Sequence, residues 1–489
     1  MPKDQIRRVL LVAVLSLVAA LAIASPAASG TAKLLGDRYV VVLAGTQTED
    51  GFAFAESRAA ALTAVQAAGG TVVTDLSRQI GVLVVQSPTG TLCQVLSGSA
   101  LFESVGSDFS WQGLPTAAPD PLGGPYQTED PLEPLQWDMQ PIHAPEAHDV
   151  QAGARAVDVG ILDSGVDGHH PDFVVGAAGT NVDCARGRNS ITFVPTGPGI
   201  GTPDPCTDNQ FHGTHVAGTV AAQANELGMV GVAPNVTLVP VKVCDATGYC
   251  YASAVVDGIT YPGDQKFDVI NMSFFVDDNE FQESTEFKCM DDPVQRTFRR
   301  AVERAIQYAR SQGVTPVAAL GNSDEDLAHP SEPNENNCEV VPAETQGVIG
   351  VSALGRNSEK AGYSNYGTGA NDVSAPGGNG TTGDCTRTVL STFPGGGYIC
   401  IQGTSMASPH AAGVAALIVS QFGTLGPDGD VKMSPTRVEA HMQGTTVDIG
   451  LPGYDECFGH GRIDALRAVL HDTSKVYDAS SPHCPEYQE

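Results

Sequence analysis

The chain contains 489 residues, 42% of them hydrophobic, which is enough for a sizeable core and for more than one domain. Its 56 acidic residues outnumber its 26 basic residues, so the formal net charge is −30 at pH 7. A chain this acidic is repelled by phosphate backbones and by anionic lipid surfaces. These numbers argue against binding of nucleic acid and against adsorption to anionic membranes, and they fit a soluble globular protein.

The first 28 residues have the layout of a secretory signal peptide. Lys3, Arg7 and Arg8 precede an apolar run over residues 9–24, and the small residues of an Ala-x-Ala type cleavage site accompany its end. The alternative is a retained membrane anchor, for which the apolar run is marginally short. We therefore predict a secreted, extracellular protein that has no membrane contact once residues 1–28 are removed.

Residues 29–112 are predicted to form a small separate domain. The sequence indicates strands at 39–43, 71–73, 81–86 and 102–105, and helices at 56–68 and 91–96. The resulting β-α-β-β-α-β order is that of an α+β, ferredoxin-like domain.

A change of composition follows this domain. Residues 113–134 are rich in Pro, Gly and acidic residues, which is typical of an exposed linker that proteases cut easily. The same composition fits an ordinary interdomain hinge, and composition alone does not separate the two.

Beyond the linker, apolar strands alternate with helices. The strands are predicted at 156–162, 237–243, 268–272, 314–320 and 348–353, and the helices at 215–224 and 297–312. This pattern predicts an α/β fold, a mostly parallel sheet with helices on both faces. Functional sites in such sheets lie beyond the carboxyl ends of the strands. Asp163 and Asn322 each follow such a strand, so both should emerge at the same rim.

Ser405 stands among small residues at the start of an apolar stretch, residues 403–420, that predicts a buried helix. Backbone N–H groups at a helix start have no helical partner, so they can donate to an oxyanion that develops beside the serine. His212 also lies among small residues, where another helix can begin closely packed. Asp163, His212 and Ser405 together supply the carboxylate, base and nucleophile of serine catalysis. The Asn322 amide would add an oxyanion donor worth roughly 3 kcal/mol of the barrier.

Each of these residues also has a simpler interpretation. Alone, Ser405 is a helix cap, Asp163 a turn residue at a strand end and His212 a core histidine. The combination favours catalysis. His215 and His410 do not occupy the base position and are predicted to be structural. A zinc hydrolase is disfavoured because no glutamate lies between the two neighbouring histidines, and the chain order of the triad differs from that of lipases.

Four segments resemble the catalytic blocks and the oxyanion asparagine of the subtilisin-like serine proteases. They are residues 163–167 (Asp-Ser-Gly-Val-Asp), 212–218 (His-Gly-Thr-His-Val-Ala-Gly), 321–322 (Gly-Asn) and 403–410 (Gly-Thr-Ser-Met-Ala-Ser-Pro-His). The resemblance covers residues 135–471. It implies that Asp163 orients His212, which acts as general base and then acid, and that Ser405 is the nucleophile. It also implies that Asn322 and the Ser405 backbone N–H are the oxyanion donors.

The resemblance further implies how the protein is made and used. Residues 29–112 are similar to the inhibitory propeptide of this family, so we expect a zymogen that is inhibited intramolecularly and cut within residues 113–134 by its own active site. Residues 472–489 would form a C-terminal tail. The expected activity is hydrolysis of polypeptide substrates by a monomer, with no cofactor for the chemistry. General extracellular proteolysis is the first interpretation; a selective maturation protease for an exported precursor and a catalytically silent peptide-binding scaffold are the alternatives.

One segment pair is similar to a structural calcium site found in some members of the family. The implied ligands are the side chains of Asp172 and Asn225 and the backbone carbonyls of Gln223, Leu227 and Met229. Hard oxygen ligands of this kind suit calcium. The alternative is that these are ordinary surface turn residues.

The chain departs from the family beside the primary specificity pocket. Where the family usually has Ser-Leu-Gly-Gly, this chain has Ser273, Phe274, Phe275 and then Val. We expect Ser273, Phe274, Phe275 and Gly321 to line the substrate cleft. A bulky residue in place of Gly would narrow the pocket or redirect the strand, so the cleavage preference of the family does not carry over.

The eleven cysteines indicate an oxidising compartment. Cys93 lies in the first domain, and the other ten stand as sequence neighbours. Spacing does not fix connectivity, but we predict pairing between these neighbours. The predicted pairs are Cys184–Cys206, Cys244–Cys250, Cys289–Cys338, Cys385–Cys400 and Cys457–Cys484. Zinc binding is the rival, but none of these forms a Cys-x-x-Cys pair.

Overall fold

The computed structural model describes residues 32–48, 51–116, 121, 130, 132–174, 179–192, 201–276, 292–328, 339–427, 429, 431–482 and 484. The predicted signal peptide, much of the predicted linker and the predicted Cys289–Cys338 pair lie outside the described residues. No helix within these ranges is long and apolar enough to cross a bilayer.

The N-terminal part of the chain builds an antiparallel sheet. Its strands are β1 (Lys33–Leu43), β4 (Thr71–Leu76), β5 (Val82–Gln86) and β6 (Phe102–Gln112), while β2 (Gly45–Thr48) and β3 (Gly51–Phe54) form a separate hairpin. The helices of this part are α1 (Arg58–Ala67), α2 (Ser77–Ile80) and α3 (Leu92–Leu96). Strand order is β6-β1-β5-β4, with the Val-rich β1 paired to both β5 and β6. The predicted order of strands and helices is present. The β2–β3 hairpin and the short helix α2 were not predicted.

The remainder of the chain is organised around a seven-stranded sheet of order β14-β13-β12-β11-β7-β9-β8. These strands are β7 (Asp158–Asp163), β8 (Arg188–Asn189), β9 (Thr237–Lys242), β11 (Val269–Met272), β12 (Thr315–Ala319), β13 (Ile349–Leu354) and β14 (Val373–Pro376). Each neighbouring pair is parallel. The predicted α/β fold with a mostly parallel sheet is therefore confirmed. Smaller strands are β10 (Tyr249–Tyr251), the hairpin β15 (Val389–Phe393) with β16 (Gly397–Ile401), and β17 (Thr424–Leu425) with β18 (Val431–Lys432).

Helices cover both faces of the parallel sheet. They are α4 (Ala144–His148), α5 (His212–Ala221), α6 (Ala252–Gln265), α7 (Pro293–Ser311), α8 (Thr404–Phe422), α9 (Pro435–Gly444) and α10 (Ala465–Leu470). Because successive side chains of a strand point to opposite faces, Val159 and Ile161 of β7 pack with α5 and α8, whereas Leu162 packs with α6 and α7. The sheet thus separates two cores.

The second core continues into the N-terminal sheet. Phe109 and Trp111 of β6 pack in the same apolar cluster as Phe298 of α7 and Val255 of α6. In addition, β10 pairs antiparallel with β6 and becomes the fifth strand of the N-terminal sheet. The two parts of the chain are therefore joined both by packing and by a strand pairing.

Four of the predicted disulfides are formed. They are Cys184–Cys206, Cys244–Cys250, Cys385–Cys400 and Cys457–Cys484. The last of these holds residue 484, within the predicted tail, against the catalytic part of the chain.

Candidate active site

Ser405 is the second residue of α8 and is 8% exposed. The preceding Gly403 has φ 154°, a conformation that favours glycine, and this turns the chain sharply from β16 into the helix. The first N–H groups of a helix have no partner inside it. The backbone N–H of Ser405 is one of these groups, so it is placed to donate to a ligand beside the side chain.

Pro409 leaves the backbone carbonyl of Ser405 free to accept a hydrogen bond from outside the helix. Because proline has no N–H, the carbonyl of Ser405 receives no helical hydrogen bond from position 409. That carbonyl instead accepts from the hydroxyl of Ser273, at 2.8 Å, while the hydroxyl of Ser405 donates to the carbonyl of Ser273, at 2.9 Å. Ser273 directly follows β11, so this exchange joins the start of α8 to the strand rim.

Two further side chains hold Ser273 in place. The Asn271 amide donates to the Ser273 hydroxyl at 2.8 Å, and the Ser408 hydroxyl donates to the Asn271 carbonyl oxygen at 2.7 Å. The sequence analysis did not identify Asn271 or Ser408. The proline at position 409 was the signal that a carbonyl in this helix needed an outside donor.

His212 and Asp163 form a buried pair at the same rim. His212 Nδ1 lies 2.9 and 3.0 Å from the two carboxylate oxygens of Asp163, and the side chains are 1% and 0% exposed. Asp163 ends β7, and His212 begins α5, three residues before the predicted start of that helix. A β-carbon at Gly213 would collide with the carbonyl of Gly165, so glycine is needed for this close approach.

The Ser405 hydroxyl donates to the Ser273 carbonyl in this arrangement. It carries one proton, and that proton is donated to the Ser273 carbonyl rather than to His212. The hydroxyl has to leave this acceptor before the proton can pass to His212, and such rearrangement between a free and a substrate-bound site is common.

Asn322 lies on the other side of Ser405. Its side-chain oxygen accepts from the backbone N–H of Thr404 at 2.9 Å and from the Thr404 hydroxyl at 3.0 Å. A backbone N–H can only donate, so these contacts identify the oxygen and leave the Asn322 NH₂ group to point elsewhere. The NH₂ group and the N–H of Ser405 are thus two donors at one end of α8.

The other two histidines have contacts typical of structural residues. His215 is fully buried, and burial together with nearby His212 lowers its pKa to about 3, so it stays neutral beside the Val389 carbonyl. His410 Nδ1 lies 2.7 Å from the Met406 carbonyl and Nε2 lies 3.0 Å from Asp138, with both side chains of the His410–Asp138 pair 0% exposed. Both ring nitrogens lie within hydrogen-bond distance of an oxygen, so the ring is fixed at two points inside the core. The sequence offered no signal for Asp138.

The residues predicted to line the substrate cleft separate into two groups. Ser273 and Phe275 stand beside Ser405 and Gly321, respectively. Phe274 is completely buried beneath Trp111 and faces the core rather than the cleft.

The predicted calcium residues lie together. Burial raises the pKa of Asp172 to about 8. One carboxylate oxygen, Oδ2, accepts from the Met229 N–H at 3.1 Å. The other, Oδ1, is buried and has no hydrogen-bond partner among the described residues. Asn225 accepts from the Leu227 N–H at 3.0 Å and so shapes the loop. The carboxylate of Asp130, which the sequence analysis missed, accepts from the N–H groups of Asn225 and Leu227. Among the described residues, no group of three or more His, Cys, Asp or Glu side chains gathers as a metal site.

A buried carboxylate oxygen without a partner is compatible with a bound cation. The remaining predicted ligands are neutral oxygens, which also suit calcium. The residues therefore fit a calcium ion, which they would hold through the Asp172 carboxylate and oxygens of the 223–229 loop.

The fold and the strand-rim site are those of a serine endopeptidase. The profile of the subtilase family, Peptidase_S8, matches residues 154–461. The chain is 33% identical over 337 residues to subtilisin E of Bacillus subtilis (strain 168), covering 68% of this chain and 71% of that protein. It is 30% identical over 335 residues to subtilisin Savinase of Lederbergia lenta, covering 68% and 98%. The chain belongs to the subtilase family.

Solved structures agree on the fold. The epidermin leader peptide processing serine protease (EpiP) of Staphylococcus aureus is similar with a TM-score of 0.65 at 21% identity, covering 88% of this chain and 97% of that chain. A lanthipeptide protease is similar with a TM-score of 0.56 at 25% identity, covering 71% and 98%.

Proposed function

We propose that the chain is a secreted serine endopeptidase that works through an acyl-enzyme on Ser405 and is synthesised as a self-processing zymogen. The catalytic part rests on one observation, the buried Asp163–His212 pair at the strand rim that also holds Ser405 and Asn322. The roles of these four residues are those that the sequence analysis predicted.

The reaction begins when the Ser405 hydroxyl turns from the Ser273 carbonyl toward Nε2 of His212. As Oγ bonds to the peptide carbonyl carbon, its proton passes to His212 and the carbonyl electron pair moves onto oxygen. The Asn322 NH₂ and the Ser405 N–H receive that oxyanion, while Asp163 stabilises the imidazolium. Collapse breaks the C–N bond, His212 gives its proton to the leaving amine, and water then cleaves the acyl-enzyme by the same steps.

The test is covalent labelling with a fluorophosphonate, which reports an activated serine directly. The wild-type protein is expected to incorporate one label, on Ser405, and to hydrolyse denatured casein, whereas Ser405→Ala does neither. Asp163→Asn keeps the shape of the side chain and is expected to lose about 10⁴-fold in kcat, because the imidazole is held in the wrong tautomer. A wild-type protein that binds peptides but takes up no label would instead be the catalytically silent scaffold.

Contacts of the N-terminal domain support the zymogen part of the proposal. Gln112, Trp111 and Ser110 of β6 pair with Tyr249, Cys250 and Tyr251 of β10. The chain then continues beyond β6, where the N–H of Leu114 donates to the Gly248 carbonyl at 3.1 Å. An edge strand of this kind is the surface on which an extended peptide substrate adds as a further strand.

The same segment reaches the candidate base. The side-chain amide of Gln210 donates to the Pro115 carbonyl at 2.6 Å, and the N–H of His212 donates to the side-chain oxygen of Gln210 at 2.8 Å. Residues 110–115 therefore occupy the approach to the strand rim. A substrate would have to displace them, which is the basis of intramolecular inhibition.

N-terminal sequencing tests self-processing. The secreted wild-type protein is expected to begin within or after residues 113–134, whereas Ser405→Ala is expected to keep residues 29–112. Identical trimming of both proteins would mean that another protease removes the domain.

A selective maturation protease for an exported precursor is the second candidate. It is favoured by the two structural neighbours, one named as a leader peptide processing protease and the other as a lanthipeptide protease. Cleavage of denatured casein at many positions would support general extracellular proteolysis, and cleavage confined to one motif would support maturation.

A structural calcium ion is the last part of the proposal. Asp172, Asn225 and the loop carbonyls of Gln223, Leu227 and Met229 would hold it. A bound ion would supply positive charge that offsets the buried Asp172 carboxylate, and these residues would thereby be held in place in the loop that follows α5.

A further inference from the structure

The substrate side chain that precedes the scissile bond has a defined place to go. The attacked carbonyl must lie within reach of Ser405 Oγ and of the Asn322 NH₂ group. Two backbone segments flank that position: residues 273–276, whose Ser273 carbonyl is 2.9 Å from Ser405 Oγ, and residues 320–322, whose Asn322 contacts Thr404 at 2.9 Å. The side chain on the α-carbon next to the attacked carbonyl therefore enters the gap between these segments. We call this gap the specificity slot.

The ring of Phe275 occupies this slot. Phe275 belongs to one flanking segment, and a β-carbon built on Gly321, in the other segment, would lie 3.7 Å from its Cδ2 atom. This is ordinary van der Waals distance, so the ring extends from its own segment to the opposite one. Gly321 itself cannot move aside, because its φ of 114° and the Asn365 amide against it fix its conformation.

The backbone next to Phe275 is held by a strand-like pairing. Val276 and Val341 exchange two backbone hydrogen bonds, of 2.9 and 3.0 Å, and Val340 beside them is 2% exposed. This pairing anchors the residue after Phe275. The backbone at Phe275 therefore has little freedom to swing its ring out of the slot, and only rotation of the side chain remains.

We infer that Phe275 is a specificity-determining residue that fills the slot, so that this protease cleaves after Gly, Ala and Ser and rejects large side chains at that position. The inference rests on the proposed function and names its substrate class. A Leu or Phe side chain would have to displace the ring against a well-packed wall, and overpacking of this kind is strongly unfavourable. Gly has no side chain and Ala has only a methyl group, so neither residue requires the Phe275 ring to move.

The experiment uses the purified secreted protein as it matures from the full chain, with active sites counted by fluorophosphonate uptake, and a peptide mixture in which every residue type precedes many bonds. Mass spectrometry of the products identifies the residue before each cut. We expect Gly, Ala and Ser to be enriched for the wild type. Phe275→Ala is expected to raise the ratio of kcat/KM for peptides with Leu, Phe or Tyr at that position to kcat/KM for the matching Ala peptide at least tenfold.

Two further variants keep the result interpretable. Phe275→Leu removes less volume, so it should give an intermediate gain even if Phe275→Ala folds poorly. Phe422→Ala makes the same truncation at the far end of α8, about 25 Å from Ser405 at 1.5 Å per residue, and should leave the cleavage profile unchanged.

The outcomes separate the two levels of the argument. A labelled, active wild type that cuts after Phe, Leu or Tyr as readily as after Ala would overturn the inference and leave the proposed function intact. An active Phe275→Ala protein with the wild-type profile would do the same. A wild type that takes up no label and cuts no peptide would refute the proposed function, and the inference with it.

Discussion

Trp111 provides a direct test of how the N-terminal domain is held on the catalytic part of the chain. Its side chain is 0% exposed, its ring centroid lies 6.4 Å from that of Phe274 and 5.9 Å from that of Phe298, and its indole N–H donates to the Phe275 carbonyl at 2.9 Å. Truncating a buried tryptophan to alanine costs about 3–5 kcal/mol. At 1.4 kcal/mol per tenfold, Trp111→Ala should increase opening of the interface by about 10²- to 4 × 10³-fold.

Trp111→Phe is the matched control. It keeps an aromatic ring in the site and loses mainly the indole hydrogen bond, worth about 1 kcal/mol, so opening should increase about fivefold. Hydrogen exchange of the β6 and β10 amides, measured in a Ser405→Ala background that prevents self-cleavage, reports the opening equilibrium. Amides of β11 and β12 should exchange as before. Equal exchange of β6 and β10 in all three proteins would refute the view that Trp111 anchors the domain.

Three other predictions concern the site and its supports. Asn322→Ala should lower kcat by about 10²- to 10³-fold with KM little changed, which is the magnitude associated with this donor in subtilisin. Thr404→Val keeps the backbone contact to Asn322, so its kcat should fall only a few-fold. A chelator should lower the melting temperature of the wild type but not of Asp172→Asn, as followed by scanning calorimetry with added calcium as the reversal. Burial raises the pKa of Glu344 to about 7, so between about pH 4.5 and 7 the folded state binds a proton that the unfolded state releases. The free energy of unfolding of the wild type should therefore fall by up to about 3 kcal/mol as the pH rises through this range. Urea unfolding measures the change, which should be smaller in Glu344→Gln.

The sequence was sufficient to place the main site residues at one rim, for a simple geometric reason. Parallel strands end on the same side of a sheet, so Asp163 at the end of β7 and Asn322 after β12 were expected to emerge together once the strands were recognised. Ser273, after β11, lies at the same rim. The helix that carries Ser405 was visible from its apolar run. The fold class therefore followed from local pattern and the topology it imposes.

Other features depend on contacts between distant residues and gave no local signal. Asp138 meets His410 across 272 positions of the chain. Helix α6 was missed because Gly258, Pro262 and Gly263 interrupt a helical pattern, and burial against α7 and the sheet compensates. Strand β10 was missed because three residues inside a hairpin are stabilised mainly by pairing with β6, more than a hundred residues earlier.

Pro409 explains why the nucleophile and the cleft wall are joined so closely. A proline inside a helix removes one backbone hydrogen bond and is costly, by about 3 kcal/mol. Here the freed Ser405 carbonyl is satisfied by Ser273, which is held in turn by Asn271 and Ser408. The defect in α8 is therefore the means by which β11 and α8 are connected through directional hydrogen bonds rather than through packing alone. Such bonds fix distances more narrowly than apolar contacts do, and the segment that carries Phe275 begins at Ser273, the residue that makes this connection.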